Sequence, residues 1–494
     1  MNISASSSIR NLSQTKRPVA AQEAPKATSS AAPALASGPS DSADVSFAKP
    51  WNDEAATLLA NTSEAATKLE GTLGEFEPGE VIVRTKAGFS LQSGVSIQEK
   101  FGAKVLDEFD TPGGPFKSSG GDFLHLKLPH GITTEQAIAA MESDPSVEYA
   151  SPNHRFDLPD AIDGPEAGSP DDLHQRLYGL HNEGQTGGTA DADIDAPEAW
   201  AIETGKNQAA NGPLIAVIDT GIDYNHVDLK DNIWTNPGEI AGDGIDNDGN
   251  GVIDDIHGFN ALDNNGDPID FHSHGTHVAG TIGAKGNNGE GVVGVNHDAN
   301  IMGIRIFGPQ GATAAGIIRG IQYASKMGAR VANNSWGGGA FNAGIKEAFE
   351  QSPTLHMLSA GNNGRDNDTY DRYPGDYNSP NFVRVAATDH NDKLAGFSNY
   401  APTTVELSAP GVNTYSTIPG DKYASKSGTS MATPHVTGAA ALIAAAYPGI
   451  TNEELKARLI DGVDPAPDTA GKTITGGRLN VGNSIQPEVV KAHS

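Results

Sequence analysis

Three short stretches of this chain carry residue types that can move protons and attack carbonyls. Ile215-Ala216-Val217-Ile218-Asp219-Thr220-Gly221 is an apolar run ending in a carboxylate. Ser273-His274-Gly275-Thr276-His277 sets an imidazole beside a glycine, and Ser427-Gly428-Thr429-Ser430-Met431-Ala432 sets a hydroxyl at the head of a long apolar stretch. A hydroxyl is a weak nucleophile at neutral pH, an imidazole can take its proton, and a carboxylate can hold that imidazole in one tautomer. Each stretch alone has a plainer reading. Asp219 suits a strand end or turn, and Ser430 suits a helix cap. His274 and His277 could share a helical face as metal ligands, but Gly275 stands where an H-E-x-x-H zinc site needs glutamate.

The surrounding pattern says what must position these groups. From about 173 to 486, apolar β-branched runs (214–218, 300–306, 330–333, 355–359, 382–386) alternate with helical stretches (275–283, 314–327, 342–351, 431–446, 452–459). Continuous apolar strands separated by helices predict an α/β fold, a parallel sheet covered on both faces. Reactive groups in such sheets gather at the carboxyl ends of strands, where Asp219 would lie. Residues 77–156 read as a separate α+β unit. Its strands are 80–84, 123–128 and 147–150, and its helices are 96–102 and 133–141, the second opened by a Thr133/Gln136 capping box. Residues 157–172 read as an Asp/Pro/Gly-rich linker, and 487–494 as a tail. Residues 1–76, rich in Ala, Ser and Pro toward the start, are expected to lack a fixed fold.

Taken together, the three stretches resemble the active-site signatures of the subtilisin-like serine proteases (subtilases), in that family's order Asp, His, Ser. The resemblance implies a three-layer α/β/α domain over 173–486 with Asp219, His274 and Ser430 as a triad and His277 as a structural neighbour. It also makes Ser359-Ala360-Gly361-Asn362 the oxyanion stretch, with Asn362 as side-chain donor and Ala360 and Gly361 against the substrate. Asn334-Ser335-Trp336-Gly337-Gly338 resembles the edge that binds a substrate backbone as an added strand. The 77–156 unit resembles the family's ferredoxin-like propeptide, which chaperones and inhibits its own protease. By that resemblance Phe156 enters the primary specificity pocket and Asp157 begins the mature chain. Arg372, before Tyr373-Pro374-Gly375, is a candidate lining residue of that pocket that would bias it toward acidic or polar residues, with Asp366, Asp368 and Asp371 near enough in sequence to neutralise it. The alternatives are a catalytically silent calcium-binding module on the same fold and an α/β-hydrolase esterase. The latter needs a G-x-S-x-G elbow, whereas Met431-Ala432 follows the serine here.

Composition bounds the rest. A net charge of −29 over 494 residues opposes nucleic acid or an anionic membrane as partner, and favours cations. There are no cysteines, so disulfides and thiolate chemistry are excluded. No apolar run is long enough to span a bilayer. The N-terminal Arg10, Lys16 and Arg17 are not followed by an apolar signal segment, so secretion without a conventional signal peptide is expected, with a cytoplasmic stay until release as the alternative. A monomer acting on polypeptides, with its own propeptide as intramolecular inhibitor, is the expected state. Asp246, Asp248 and Asn250 alternate ahead of Gly251 like the first half of an EF-hand loop, with Asp254 or Asp255 closing the shell around calcium. By resemblance to the subtilase calcium loop, Asn288, Asp228 and Asp172 form a second site, and Asp263, Asn265 and Asp267 a third.

Overall fold

The computed structural model describes residues 53–87, 97–110, 121–158, 162–163, 173, 175–205 and 212–489. The N-terminal unit starts earlier than expected. Helices α1 (Asp53–Asn61) and α2 (Ser63–Leu69) form inside the stretch assigned no fold. They are alanine-rich, and they bury Ala55 and Ala66. Strand β1 (Phe76–Thr85), helix α3 (Ile97–Lys100), strands β2 (Lys104–Glu108) and β3 (Phe123–Lys127), helix α4 (Thr134–Glu142) and strand β4 (Val147–Phe156) follow. All three strand pairings, in the order β2-β3-β1-β4, are antiparallel. That is the split βαβ arrangement of a ferredoxin-like unit. The capping box at α4 is present, with Thr133 and Gln136 bonding reciprocally.

The larger unit runs through β5 (Ile162–Asp163), α5 (Ala196–Trp200), β6 (Leu214–Asp219), β7 (Gly258–Asn260), α6 (His274–Gly283), β8 (Asn300–Arg305), β9 (Ala312–Thr313) and α7 (Ala314–Lys326). It continues with β10 (Val331–Asn334), α8 (Ala343–Gln351), β11 (Leu355–Ser359), β12 (Phe382–Thr388), β13 (Leu407–Pro410), a β14–β15 hairpin (Thr414–Ile418, Lys422–Ser427) and α9 (Thr429–Ala446). Strands β13-β12-β11-β10-β6-β8-β7 lie side by side and parallel. Strands β10, β11 and β12 are buried along their whole length, as a sheet covered on both faces requires. The chain leaves β6 toward β8 and β7, then returns to β10 on the other side. The switch point between β6 and β10 therefore opens a crevice at the carboxyl ends of both strands.

The two units share a sheet, because β4 pairs antiparallel with β9 through Arg155↔Thr313 and Phe156↔Ala312. Side chains secure the joint. The Asn153 amide oxygen accepts the Ala315 N–H at 3.0 Å, and the Asn342 amide donates to the Pro152 carbonyl at 2.9 Å. Arg84, fully buried, pairs with Asp110 of its own unit and Glu347 of α8, and Tyr149 donates to the same Glu347 carboxylate. Glu347→Ala leaves the buried Tyr149 hydroxyl without this acceptor and Arg84 with one carboxylate. It is expected to weaken docking by about 2–3 kcal/mol. Limited proteolysis of the full chain should then release the N-terminal unit sooner. An unchanged cleavage time course would show that this cluster does not hold the joint.

Candidate active site

The site is assembled by backbone proximity. Helix α6 begins against the end of β6 because Gly275 has no side chain: a Cβ there would sit 2.1 Å from the Gly221 carbonyl oxygen. The helix start is held by Asp270, whose carboxylate accepts the N–H groups of His272, Ser273 and Thr276 and the Thr276 hydroxyl. Thr220 adds an acceptor for the Gly275 N–H at 2.9 Å. With α6 in place, His274 Nδ1 meets Asp219 Oδ1 at 2.7 Å, and that oxygen also accepts the Thr220 N–H. Asp219 and His274 are almost completely buried.

Ser430 is the second residue of α9, where first-turn N–H groups lack intrahelical acceptors. Its hydroxyl donates to the Ser335 carbonyl at 3.0 Å, while the Ser335 hydroxyl donates to the Ser430 carbonyl at 2.9 Å. These two bonds tie the end of β10 to the head of α9. His274 Nε2 has no hydrogen-bond partner among the described residues, so the imidazole face opposite Asp219 is uncommitted there. Asn362 Oδ1 accepts both the N–H and the hydroxyl of Thr429, at 2.9 and 2.8 Å. With its oxygen engaged, the amide sets Nδ2 beside Gly428. The Thr429 hydroxyl in turn accepts the Gly361 N–H at 3.1 Å.

The expected residues around this centre come together with one change of role. Ser335, Gly337 and Gly338 line the edge after β10, and Ala360 and Gly361 follow β11. Trp336 contributes its backbone there. Its ring is buried and donates to the Ile218 carbonyl at 2.9 Å, under the sheet. His277 is also buried. Burial pulls its pKa down to about 3, and its Nε2 faces the Thr414 and Ala424 carbonyls, so it pins the β14–β15 hairpin in neutral form. Sequence reasoning missed Asp270, Thr220 and Thr429, which act through the three signature residues. Thr429 stood inside a signature and Asp270 shortly before another, but hydroxyl and carboxylate caps leave no period to read.

Phe156 lies elsewhere than expected. Its ring is buried edge-on to Trp336 and fills the space a Cβ on Gly339 would take, while its backbone pairs with Ala312. The described chain goes on to Leu158, which lines one cavity with Thr220 and His272, the neighbours of Asp219 and His274. It pairs again at Ile162↔Ser427, three residues before Ser430. The described chain thus lies near the reactive centre at Leu158 and again at Ile162.

This geometry agrees with what the chain is similar to. Residues 210–476 match the profile of the subtilase family, peptidase S8, and residues 61–153 match that of the fervidolysin N-terminal prodomain. The chain belongs to the subtilase family. The thermophilic serine proteinase of Bacillus sp. (strain AK1) is 33% identical over 416 residues, 83% of this chain and 88% of the relative. Thermitase of Thermoactinomyces vulgaris is 35% identical over 297 residues, 59% of this chain and 94% of that protein. Among solved structures, fervidolysin of Fervidobacterium pennivorans covers 84% of this chain with a TM-score of 0.64 at 24% identity, a likeness of fold. A protease of Pseudoalteromonas arctica covers 64% with a TM-score of 0.51 at 27% identity. This subtilase is therefore a serine protease with an N-terminal prodomain, and no helix of its described residues is long and apolar enough to cross a membrane.

The acidic loop is arranged differently from the sequence expectation. Asp254 turns its carboxylate to the Gly242 and Gly244 N–H groups, and Asp246 accepts those of Asn250 and Gly251. Both are occupied in shaping the loop. The carboxylates that converge are Glu239, Asp248 and Asp255, with oxygens within 4.8 Å of one another. Asn250 bridges two of them, donating to Asp248 at 2.9 Å and Asp255 at 2.7 Å. Glu239 carried no sequence signal, because it precedes the alternating acidic run. At the second loop, Asp228 accepts from Asn288 Nδ2 and the Val292 N–H, both at 2.8 Å. Asp172 lies outside the described residues.

Thr429 provides a test of the site's support. Thr429→Val keeps the shape and removes the hydroxyl that fixes Asn362 and Gly361. Turnover is expected to fall about tenfold with KM little changed, since an oxyanion donor would be loosened rather than removed. A rise in KM alone would mean that Thr429 serves substrate binding instead.

Proposed function

We propose that this subtilase is an endopeptidase with Asp219, His274 and Ser430 as its triad, made as a zymogen that cuts itself. The observation that supports the reading is a buried Asp–His pair whose second imidazole nitrogen has no partner among the described residues, with a helix-head serine tied to the end of β10, the strand next to β6. In attack, the Ser430 hydroxyl turns from the Ser335 carbonyl to His274 Nε2. It gives up its proton there as its oxygen adds to the scissile carbonyl carbon. Asp219 holds Nδ1–H toward itself and stabilises the charged ring. The Ser430 N–H and Asn362 Nδ2 receive the oxyanion. Collapse breaks the C–N bond, the amine leaves with the proton from His274, and water repeats the sequence on the acyl ester. Substrate backbone adds to the Ser335–Gly338 edge on one side and to β9 on the other, as β4 does at Ala312.

That pairing also supports the prodomain as an intramolecular inhibitor, since it occupies an edge a substrate would need. Self-cleavage then belongs between Leu158, which shares a cavity with Thr220, and Ile162, which pairs with Ser427, and not at Phe156–Asp157. Phe156 anchors the tail upstream of the cut. Extracellular release of the processed enzyme remains the proposed setting. Ser430→Ala should lower peptidase activity by about 10⁶. It should also leave the full-length mass intact, where the wild-type chain loses its prodomain and gains an N-terminus within 159–162. Processing of the alanine variant at the same bond would assign the cut to another protease.

Calcium is the cation the acidic loop fits. Glu239, Asp248 and Asp255 bring three carboxylates together as hard oxygen ligands, and Asp228 beside Asn288 is the candidate for a second site. With no disulfides, bound ions stabilise the native state by mass action. Chelation is expected to lower the melting temperature, and calcium but not magnesium to restore it. A melting curve indifferent to chelator would make the loop a hydrogen-bonded structure without an ion.

A further inference from the structure

Arg372 is a charged residue near the reactive centre whose charge the reaction does not use. Its guanidinium lies between the two substrate-binding segments. A Cβ on Gly361 would fall 2.4 Å from its Nε, one on Gly337 would fall 3.3 Å from Nη2, and one on Gly338 would fall 3.2 Å from Nη1. The Tyr373 carbonyl next to it accepts the Gly338 N–H at 2.8 Å, which fixes the segment that carries Arg372 to the substrate edge. Nε and Nη2 are buried and have no hydrogen-bond partner among the described residues, although the residue as a whole is half-buried and reaches solvent.

An arginine left unpaired in such a place is costly unless something arrives to pair with it. The acids near it in sequence direct their hydrogen bonds to other groups. Asp366 accepts the Asp368 N–H at 3.0 Å, and Asp368 accepts the Thr403 and Thr404 hydroxyls. Asp371 faces the Tyr373 hydroxyl, and Asp376 accepts the backbone N–H of Arg372. Burial pushes Asp376 up to about 6, so it is still mostly ionised near neutrality and attracts the guanidinium at a distance, but it makes no hydrogen bond to Nε or Nη2. Burial also pulls the guanidinium down to about 10, so it stays charged in the same range.

The position fixes which substrate residue would meet that charge. The scissile carbonyl must sit between Ser430 and Asn362, so the side chain one bond away enters between 335–338 and 360–362. Arg372 stands between those segments. We infer that Arg372 selects a carboxylate on the residue that donates the scissile carbonyl, so that this protease cuts after glutamate or aspartate. A planar guanidinium matches a carboxylate with two parallel hydrogen bonds, which an amide of the same shape cannot reproduce. The assignment rests on Ser430 as nucleophile. It has a consequence within the chain itself: between Leu158 and Ile162 there is a single acid, Asp160, so self-cleavage falls at Asp160–Ala161.

The test uses the full chain, incubated until its intact mass stops changing. Peptide amides differing only in the residue before the scissile bond (Glu, Gln, Asp, Asn) are compared by kcat/KM. Glu should exceed Gln, and Asp should exceed Asn, by about 10- to 100-fold, the range of a charge-assisted hydrogen bond. Arg372→Gln should bring both ratios near one, and Arg372→Lys should keep part of the preference, which a merely structural arginine would not produce. A Glu-to-Gln ratio near one in wild-type enzyme whose Ser430 reacts with a fluorophosphonate overturns the Arg372 assignment alone. Failure of Ser430 to react, with no amide cut, overturns the nucleophile and the specificity together.

Discussion

The 2.7 Å bond between His274 and Asp219 exists because two backbones approach more closely than side chains would permit. Helix α6 can start against the Gly221 carbonyl only where residue 275 has no Cβ. Any larger residue would push the helix away and carry His274 with it, and the imidazole would lose both its orientation and its tautomer. Asp270 and Thr220 complete this contact by satisfying N–H groups that a helix start leaves without partners. The reactive geometry is thus set by packing at one strand–helix junction, with hydrogen bonds holding what the packing allows.

A second junction, between β10 and α9, carries Ser430. The reciprocal Ser335–Ser430 bonds and the Thr429–Asn362 pair bind three carboxyl-edge segments into one wall. The polar groups of this wall are buried, so each is worth more than the same bond in water, and each would be expensive to leave unmade. His277 belongs to this rigid background. Its depressed pKa comes from burial, and its role is to hold the hairpin that ends at Ser427.

The prodomain reads the same crevice from outside. By adding β4 to β9 it uses main-chain bonds that any extended peptide could make, then adds side-chain contacts that a passing substrate lacks, such as Asn153 to Ala315 and Arg84 to Glu347.

Much of this was legible in the sequence, for a physical reason. Strand and helix periods follow from burial of local residues, so the parallel sheet and the helices over 275–283, 314–327 and 431–446 could be read directly. The three signature segments carried Asp219, His274 and Ser430 because each combines a reactive group with glycine or an apolar run beside it. The capping box at Thr133 was equally local. What the sequence could not give was which distant groups meet. Phe156 was expected in the primary pocket, yet the register of β4 on β9 sets it against Trp336 and Gly339, and register between units is a tertiary property. Asp254 looked equivalent to Asp255 until the loop closed and turned one toward backbone N–H groups and the other toward Glu239 and Asp248. Arg372 had acids near it in sequence, but their carboxylates face threonines, a tyrosine and backbone instead. Sequence determined which chemistry this protein carries; the packing of the two units decided where each charge points.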